Sequence, residues 1–345
     1  MLDPVLETLF WPFLEGRLEW PGEGALFLRA RDGAPLRARK WPGLICEQTF
    51  KPEVDALQAA GFEVLSEPDA KLERTFALVL LLAPRQRDEA RALMARALEA
   101  AGPNGRVIAS AANAEGARSV EADLARLAGP LEVASKNKCR VFWTERTGES
   151  IDADLLAQWR ELDRVRPIED GRFLSRPGIF AWDRIDLASA LLASQLPADL
   201  EGHAADLGAG FGYLSAELLA RAPNITALDV YEAERRALDL ARRNLSSLQQ
   251  RAALLFHWHD VTRGLHRKYD AIVTNPPFHA QRGVDRPDIG RRFIETAAES
   301  LNEGGRLWLV ANRHLPYESV LNASFGTVHI VTQQHGYKIV EAIKH

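Results

Sequence analysis

The sequence is poor in the residues that mark several common classes of protein. Only two of its 345 residues are cysteine, Cys46 and Cys139, which excludes a disulfide framework and favours a reducing compartment. No apolar run approaches the roughly 18 residues that a membrane helix needs. The first residues lack the basic and apolar regions of a secretory signal. We therefore expect a cytoplasmic protein that does not act at a membrane.

The chain also lacks an excess of positive charge and a pattern of metal ligands. Its formal net charge is −4, which does not by itself indicate a nucleic-acid binder, although balanced totals still permit local basic faces. The nine histidines are scattered and show no ligand spacing with the two cysteines. We therefore expect no metal site.

Strand and helix signals alternate along the C-terminal part of the chain. Apolar and β-branched runs predict strands at residues 203–208, 225–230, 252–258, 270–274 and 307–311. Helices are predicted at 213–221, 232–248 and 291–301, the last one ending at Gly304-Gly305. Residues 327–332 and 337–343 predict a final hairpin through Gly336. This order predicts an α/β domain with a mostly parallel sheet and an antiparallel C-terminal strand.

The N-terminal half repeats part of this pattern. An apolar run at 76–84, a helix at 87–101 and a strand at 104–109 follow the order of residues 269–311. The N-terminal half has no glycine-rich turn between strand and helix, so we interpret it as a degenerate copy of the same domain. We predict a degenerate domain at 1–150, a linker at 151–175 and a functional domain at 176–345.

Three features of the second copy predict a nucleoside pocket. Asp206-Leu-Gly-Ala-Gly-Phe-Gly212 lies between a strand and a helix, and its glycines (Gly208, Gly210 and Gly212) let the backbone approach a ligand closely. Asp229 in the next strand is predicted to accept hydrogen bonds from the ribose hydroxyls, and Asp260 follows the third strand. These residues fall at the carboxyl ends of strands, where open α/β sheets bind ligands.

The fourth strand ends in Asn275-Pro276-Pro277-Phe278, which is the most specific motif in the chain. It resembles the N-P-P-[FY] motif of S-adenosylmethionine-dependent methyltransferases that modify planar amino or amide nitrogens. The resemblance implies that Asp206, the three glycines, Asp229, Asp260 and Asn275 form the cofactor site.

The chemistry of an exocyclic amino group explains why such a motif is needed. Its lone pair is delocalised into the base, so the nitrogen is a poor nucleophile. The side-chain oxygen of Asn275 and the carbonyl of Pro276 would accept its N–H bonds and aim the lone pair, while the prolines hold the geometry rigid. Phe278 would stack on the base, a contact worth roughly 1–3 kcal/mol, after the base leaves its stack.

Further segments resemble one family within this class. Residues 176–186 before the glycine turn and 310–317 after the fifth strand resemble the bacterial ribosomal RNA guanine-N2 methyltransferases of the RsmC type, which act on 16S rRNA. That resemblance implies two tandem Rossmann-like class I methyltransferase domains and a 30S ribosomal partner. It also implies that Phe180 and Asp186 help to close the cofactor site. Ala181 and Ala188 depart from the family pattern.

Other functions remain open from the sequence alone. The sister enzymes that act on 23S rRNA share these motifs, and a protein-glutamine or DNA-adenine methyltransferase would also use N-P-P-F. A non-catalytic RNA-binding protein is a further alternative, which the intact glycine turn disfavours. Arginines at positions 282, 286, 291 and 292 follow the motif, and we predict that Arg282, Arg286, Arg291 and Arg292 contact RNA phosphates.

Overall fold

The computed structural model describes residues 3–145, 151–277 and 287–345. These residues form two compact units. The N-terminal unit comprises Met1–Val165 with Arg176–Gly178, and the C-terminal unit comprises Arg166–Ser175 with Ile179–His345.

The N-terminal unit contains a seven-stranded sheet with the order β3-β2-β1-β4-β5-β7-β6. Its strands are β1 (Ala25–Leu28), β2 (Leu44–Glu47), β3 (Glu63–Leu65), β4 (Leu78–Leu82), β5 (Arg106–Ala112), β6 (Leu131–Lys136) and β7 (Cys139–Thr144). Its helices are α1 (Pro4–Leu14), α2 (Ala34–Arg37), α3 (Lys51–Ala59), α4 (Arg87–Ala101), α5 (Ala117–Ala128) and α6 (Ala153–Arg160). Strand β7 is antiparallel to both of its neighbours. The central strand β4 is buried along its whole length, as expected for a parallel strand covered on both faces.

The C-terminal unit contains a second seven-stranded sheet with the order β12-β11-β10-β13-β14-β16-β15. Its strands are β10 (Glu201–Leu207), β11 (Asn224–Glu232), β12 (Ala253–Trp258), β13 (Tyr269–Thr274), β14 (Leu301–Asn312), β15 (Thr327–Gln334) and β16 (Tyr337–Ile343). Its helices are α7 (Leu187–Gln195), α8 (Tyr213–Arg221), α9 (Arg235–Asn244), α10 (Pro287–Ser300) and α11 (Glu318–Ser324). Strand β16 is antiparallel to β14 and β15, so the predicted C-terminal hairpin is confirmed.

The two sheets have the same strand order, which confirms the predicted fold class of two tandem α/β domains. The positions of β4, α4 and β5 in the first sheet match those of β13, α10 and β14 in the second. The turn after β1 differs from its counterpart after β10. Arg29 stands there with a positive φ of 54°, and its guanidinium contacts Glu89 at 3.5 Å. A charged pair therefore stands where the second copy has its glycine turn.

The segment predicted to be a linker is structured. Residues 151–165 contain α6 and belong to the N-terminal unit, whereas Arg166–Ser175 belong to the C-terminal unit. There β8 (Arg166–Ile168) and β9 (Phe173–Ser175) form a small antiparallel sheet. Arg176 returns to the N-terminal unit, where its buried guanidinium donates hydrogen bonds to Asp69 and Asp163.

The helices predicted at 232–248 and 291–301 have different bounds at both ends in the structure, Arg235–Asn244 for α9 and Pro287–Ser300 for α10. Helix α10 ends at Ser300 rather than at the glycine pair, because Leu301 is buried and already pairs with Tyr269 in β13. Gly304 lies within β14, where its N–H donates to the carbonyl of Lys344 at 2.8 Å. Helix α9 begins at Arg235 rather than at residue 232, because β11 continues to Glu232.

Neither membrane-spanning helices nor metal-binding clusters occur in the ranges 3–145, 151–277 and 287–345. No helix there is both long and apolar enough to cross a bilayer. No group of His, Cys, Asp and Glu side chains in those ranges is arranged to hold a metal ion. Cys46 and Cys139 are buried free thiols, and burial raises the pKa of Cys46 to about 12.

Candidate functional site

A cleft opens at the carboxyl ends of β10 and β13 in the C-terminal unit. It combines the turn after β10, the segment that leads into α7 and the first residue after β13. Its lining consists of Phe180, Ala181, Asp186, Ser189, Gly208, Ala209, Gly210, Phe211, Tyr213, Leu214 and Asn275. The fold therefore brings five of the predicted site residues together: Phe180, Asp186, Gly208, Gly210 and Asn275.

The glycine turn brings backbone close to the cleft. Gly210 has a φ of +57°, and a Cβ added there would meet no protein atom within 4 Å, so this glycine leaves open space on its exposed side. Gly212 has a φ of +93°, and a Cβ there would lie 3.3 Å from the backbone of Ala241 in α9. Helix α8 starts at Tyr213, directly after the turn, and its first N–H groups favour an anionic or polar ligand.

Asp206 lies beneath this turn and is fully buried. Its Oδ2 accepts a hydrogen bond from the hydroxyl of Ser215 at 2.6 Å. Its Oδ1 has no hydrogen-bond partner among the described residues. Burial raises the pKa of Asp206 to about 7, because desolvation outweighs the Ser215 hydrogen bond and Glu232 adds repulsion.

Glu232, which was not among the residues predicted from the sequence, ends β11 beside the glycine turn. Like Asp206, it is not one of the residues that line the cleft, but it contacts the turn directly. Its Oε2 accepts the backbone N–H of Gly210 at 2.8 Å, and its Oε1 accepts the N–H of Glu234 at 2.7 Å. Burial raises the pKa of Glu232, although these backbone hydrogen bonds oppose the effect. A carboxylate has about four acceptor positions, so these backbone contacts do not exhaust its capacity to accept hydrogen bonds from a ligand.

Asp229, the predicted ribose ligand, lies inside the sheet and does not line the cleft. Its carboxylate is 3.0 Å from His203 Nε2 and 3.2 Å from His257 Nε2, and it accepts the hydroxyl of Tyr269 at 2.8 Å. Burial favours the neutral acid, but hydrogen bonds from His257, His203 and Tyr269 outweigh it and lower the pKa of Asp229 to about 2. The structure therefore places the Asp229 carboxylate in the core of the sheet, among these three side chains.

Asp260 lies beyond the carboxyl end of β12 and caps the short 3₁₀ turn Val261–Arg263. Its Oδ1 accepts the backbone N–H of Thr262 at 3.0 Å and the hydroxyl of Thr262 at 2.7 Å. The residue is near the predicted edge of the sheet, outside the set of side chains that line the cleft.

Asn275 is the first residue after β13, and its side chain is held on one side. Its Nδ2 donates to Asp186 Oδ2 at 3.1 Å and to Ser189 Oγ at 2.9 Å. The strand end itself is fixed, because the hydroxyl of Thr274 donates to the carbonyl of Leu207 at 2.7 Å. Pro276 is buried and Pro277 is exposed.

The remaining predicted residues have different surroundings. Phe278, Arg282 and Arg286 lie outside the described residues. Phe180 is 60% exposed at the cleft, and Arg291 is exposed at the start of α10. Arg292 donates to the carbonyl of Thr262 at 2.9 Å and pairs with Glu299 at 3.0 Å. These contacts engage Arg292 within the unit and do not favour a role in binding phosphate.

The chain is similar to known methyltransferases in sequence and in fold. The model of the Methyltransferase small domain family matches residues 170–341. In fold, the chain matches the Thermus thermophilus 16S rRNA N2 G1207 methyltransferase (RsmC), solved with AdoMet and guanosine. The TM-score is 0.82 at 24% sequence identity, over 99% of this chain and 92% of that one.

Relatives named ribosomal RNA small subunit methyltransferase C extend the similarity. The Erwinia tasmaniensis protein is 31% identical over 236 residues, which is 67% of this chain and 65% of that protein, slightly under two thirds of its length. The Pseudomonas aeruginosa protein is 32% identical over 271 residues, covering 76% of this chain and 78% of that protein. On this identity and coverage, the chain belongs to the ribosomal RNA small subunit methyltransferase C family.

Proposed function

We propose that the C-terminal unit transfers a methyl group from S-adenosylmethionine to the exocyclic N2 amino group of a guanosine in 16S rRNA. The observation that carries this proposal is the position of Asn275, whose amide is held by its nitrogen in the same cleft as the glycine turn. The names of the relatives and the ligands of the Thermus structure support the choice of guanine in the small-subunit RNA.

The residues of the cleft fit S-adenosylmethionine. The open side of Gly210 allows a ligand to approach the backbone, and the unpaired Asp206 Oδ1 offers a buried acceptor below the turn. Glu232 is the residue that would accept the ribose hydroxyls, since it ends β11 and already contacts the turn through Gly210. Asp260, which follows β12, would lie towards the adenine of the cofactor.

Asn275 and Pro276 would bind the amino group to be methylated. The Asn275 oxygen and the Pro276 carbonyl each accept one N–H bond, which draws the lone pair of the nitrogen out of conjugation and directs it at the methyl carbon. S-adenosylmethionine supplies a methyl group on a sulfonium. As the new N–C bond forms, the S–C bond breaks and its electron pair returns to sulfur. The nitrogen then loses a proton to solvent.

The RNA contacts belong to the same proposal. Phe278 would stack on the guanine, and Arg282, Arg286 and Arg291 would contact phosphates around it. The degenerate N-terminal unit would support folding and RNA binding. The partner would be 16S rRNA in the cytoplasm, as free RNA or within the 30S subunit.

A methyl-transfer assay tests this function. The full chain is incubated with tritiated S-adenosylmethionine and with naked 16S rRNA, naked 23S rRNA, 30S subunits or 50S subunits, and Asn275→Ala serves as the control. We expect label in 16S rRNA or 30S subunits, recovered as N2-methylguanosine after digestion, and a strongly reduced but measurable rate of labelling in the variant. Label only in 23S rRNA or 50S subunits would move the activity to the sister class. No label in any RNA would contradict the proposal.

A further inference from the structure

The orientation of the Asn275 amide is fixed by an atom that can only accept hydrogen bonds. Asp186 Oδ2 lies 3.1 Å from Asn275 Nδ2, and Ser189 Oγ lies 2.9 Å from the same nitrogen. A carboxylate oxygen has no proton to donate, so the amide nitrogen and not the amide oxygen must face Asp186. The Asn275 oxygen therefore lies on the other branch of the amide.

The two acceptors are themselves held in place by the start of α7. Asp186 is the N-cap residue of this helix, and its Oδ2 accepts the backbone N–H of Ser189 at 2.8 Å. The same oxygen thus caps the helix and binds Asn275. Ser189 is buried, which restricts the freedom of its hydroxyl. The capped helix presents a rigid pair of acceptors, so the amide meets a site that is already organised.

We infer that Asp186 and Ser189 are positioning residues for the methyl acceptor. They hold the Asn275 amide so that its oxygen, and not its NH₂ group, meets the amino group of the base. If the amide rotated by half a turn, its NH₂ donors would face the N–H donors of the substrate, and neither would find an acceptor. This inference rests on the proposed function and adds a role for two residues on a different element from the N-P-P-F motif.

A graded set of variants separates positioning from helix capping. Asp186→Ser keeps a good N-cap residue but has a shorter side chain, and Asp186→Asn keeps an oxygen acceptor at the original distance. Ser189→Ala removes the second acceptor. Ser194→Ala is the matched control, because Ser194 is an exposed serine on the same helix that donates to the carbonyl of Leu191.

The readouts are kcat at saturating S-adenosylmethionine, the KM for RNA, the Kd for S-adenosylhomocysteine and the Tm. We expect the double variant Asp186→Ser/Ser189→Ala to lose about 10- to 100-fold in kcat, the scale expected for misplacing a catalytic group. Its Kd and Tm should stay close to those of the Ser194→Ala control. Asp186→Asn should recover most of the kcat that Asp186→Ser loses. A weaker Kd with unchanged kcat would instead make Asp186 a cofactor ligand and overturn the inference.

A double-mutant cycle with Asn275→Ala tests whether the effect passes through the amide. If it does, adding Asp186→Ser/Ser189→Ala to Asn275→Ala causes no further loss of kcat. Independent losses that multiply would contradict the inference.

A measurement without turnover keeps the two proposals distinguishable. The side-chain ¹⁵N signal of Asn275, assigned by its loss in Asn275→Ala, should shift and exchange faster in Asp186→Ser/Ser189→Ala and should not change in Ser194→Ala. If the wild-type protein methylates no RNA, the proposed function fails while this signal still reports on the hydrogen bonds. If the wild-type protein methylates guanine and the double variant matches it in kcat and in this signal, the positioning role fails alone.

Discussion

Glu232 accepts the backbone N–H of Gly210 at 2.8 Å, whereas Asp229, three residues earlier on the same strand, bonds to His203 and Tyr269 inside the sheet. The two carboxylates therefore have different environments. One contacts the glycine turn of the cleft, and the other completes a buried polar cluster. This difference leads to separate expectations for ligand affinity and for stability.

Glu232→Gln is expected to weaken the binding of S-adenosylhomocysteine by about tenfold or more, since an amide has a single acceptor oxygen and a charge-assisted hydrogen bond is lost. Isothermal titration calorimetry measures the effect. Asp229→Asn is the comparison, and we expect its affinity to stay within about threefold of wild type once the folded fraction is taken into account. Equal losses in both variants would contradict the assignment of the ribose contact to Glu232.

Asp229→Asn is instead expected to lower the free energy of unfolding by about 1–3 kcal/mol, because it leaves buried donors without their charged acceptor. The lowered pKa of Asp229, about 2 in the folded protein against 3.8 ordinarily, stabilises the fold above pH 4. That stabilisation is lost as the pH falls through about 2. Thermal unfolding across acidic pH should show a shallower acid dependence in the variant, and an unchanged profile would count against the buried polar cluster.

The raised pKa of Asp206 predicts a pH dependence of stability that is opposite to that of Asp229. Its folded-state pKa is raised to about 7 from 3.8, so its contribution to stability is fully present below pH 4 and is lost as the pH rises through about 7. Relative to wild type, Asp206→Asn should gain stability between pH 4 and pH 8. Because a cationic ligand favours the ionised acid, wild-type affinity for S-adenosylmethionine should rise over that range and release protons. Calorimetry in buffers of different ionisation enthalpy detects that release, which Asp206→Asn should abolish.

The pair of acids around Arg176 gives a matched test in the N-terminal unit. The Arg176 side chain is 7% exposed, and its partners Asp163 and Asp69 are 15% and 64% exposed. Burial opposes its charge, but the hydrogen bonds that its guanidinium donates to Asp69 and Asp163 raise the pKa of Arg176 overall. Asp163→Asn should cost about 2–4 kcal/mol, because the arginine loses its buried partner. Asp69→Asn should cost about 1 kcal/mol or less, since solvent screens that pair. Denaturant unfolding of the full chain should separate the two variants.

Much of the fold could be predicted from the sequence. The order of strand and helix signals is a local property, and it predicted the parallel sheet, the antiparallel hairpin and the repeat in the N-terminal half. Helix α8 was predicted with its observed bounds, Tyr213–Arg221, because a glycine turn precedes it and the apolar positions recur with helical spacing. Asn275 could be singled out because its motif is short and contiguous, and it lines the cleft together with the glycine turn.

The wrong predictions concern the ends of strands and the contacts between residues that are far apart in the sequence. Val230 and Tyr231 are both buried, so β11 pairs with β12 as far as Glu232 and Trp258. The sequence offered two acids near this end, and only the strand length decides between them. The sequence did contain a signal for the strand end. Glu234 directly precedes Arg235 and is the N-cap residue of α9, so a helix that starts there leaves Glu232 at the end of β11. The contacts of Asp186 with Asn275 and of Arg292 with Thr262 join residues far apart in the sequence, so no local pattern contains them.

Two sheets with one strand order in a single chain create a hazard during folding. Each strand has a counterpart at the same position in the other sheet, as β4 corresponds to β13, and strand exchange between such copies is a known failure of repeated domains. The polar cluster around Asp229 distinguishes β13 from β4. If β4, which is Leu-Val-Leu-Leu-Leu, took the place of β13, the Tyr269 hydroxyl would be absent. The buried Asp229 carboxylate would then lose one of its hydrogen-bond donors. The polar cluster in the C-terminal sheet thus penalises strand exchange between the copies, and it helps a duplicated chain to fold each half with its own strands.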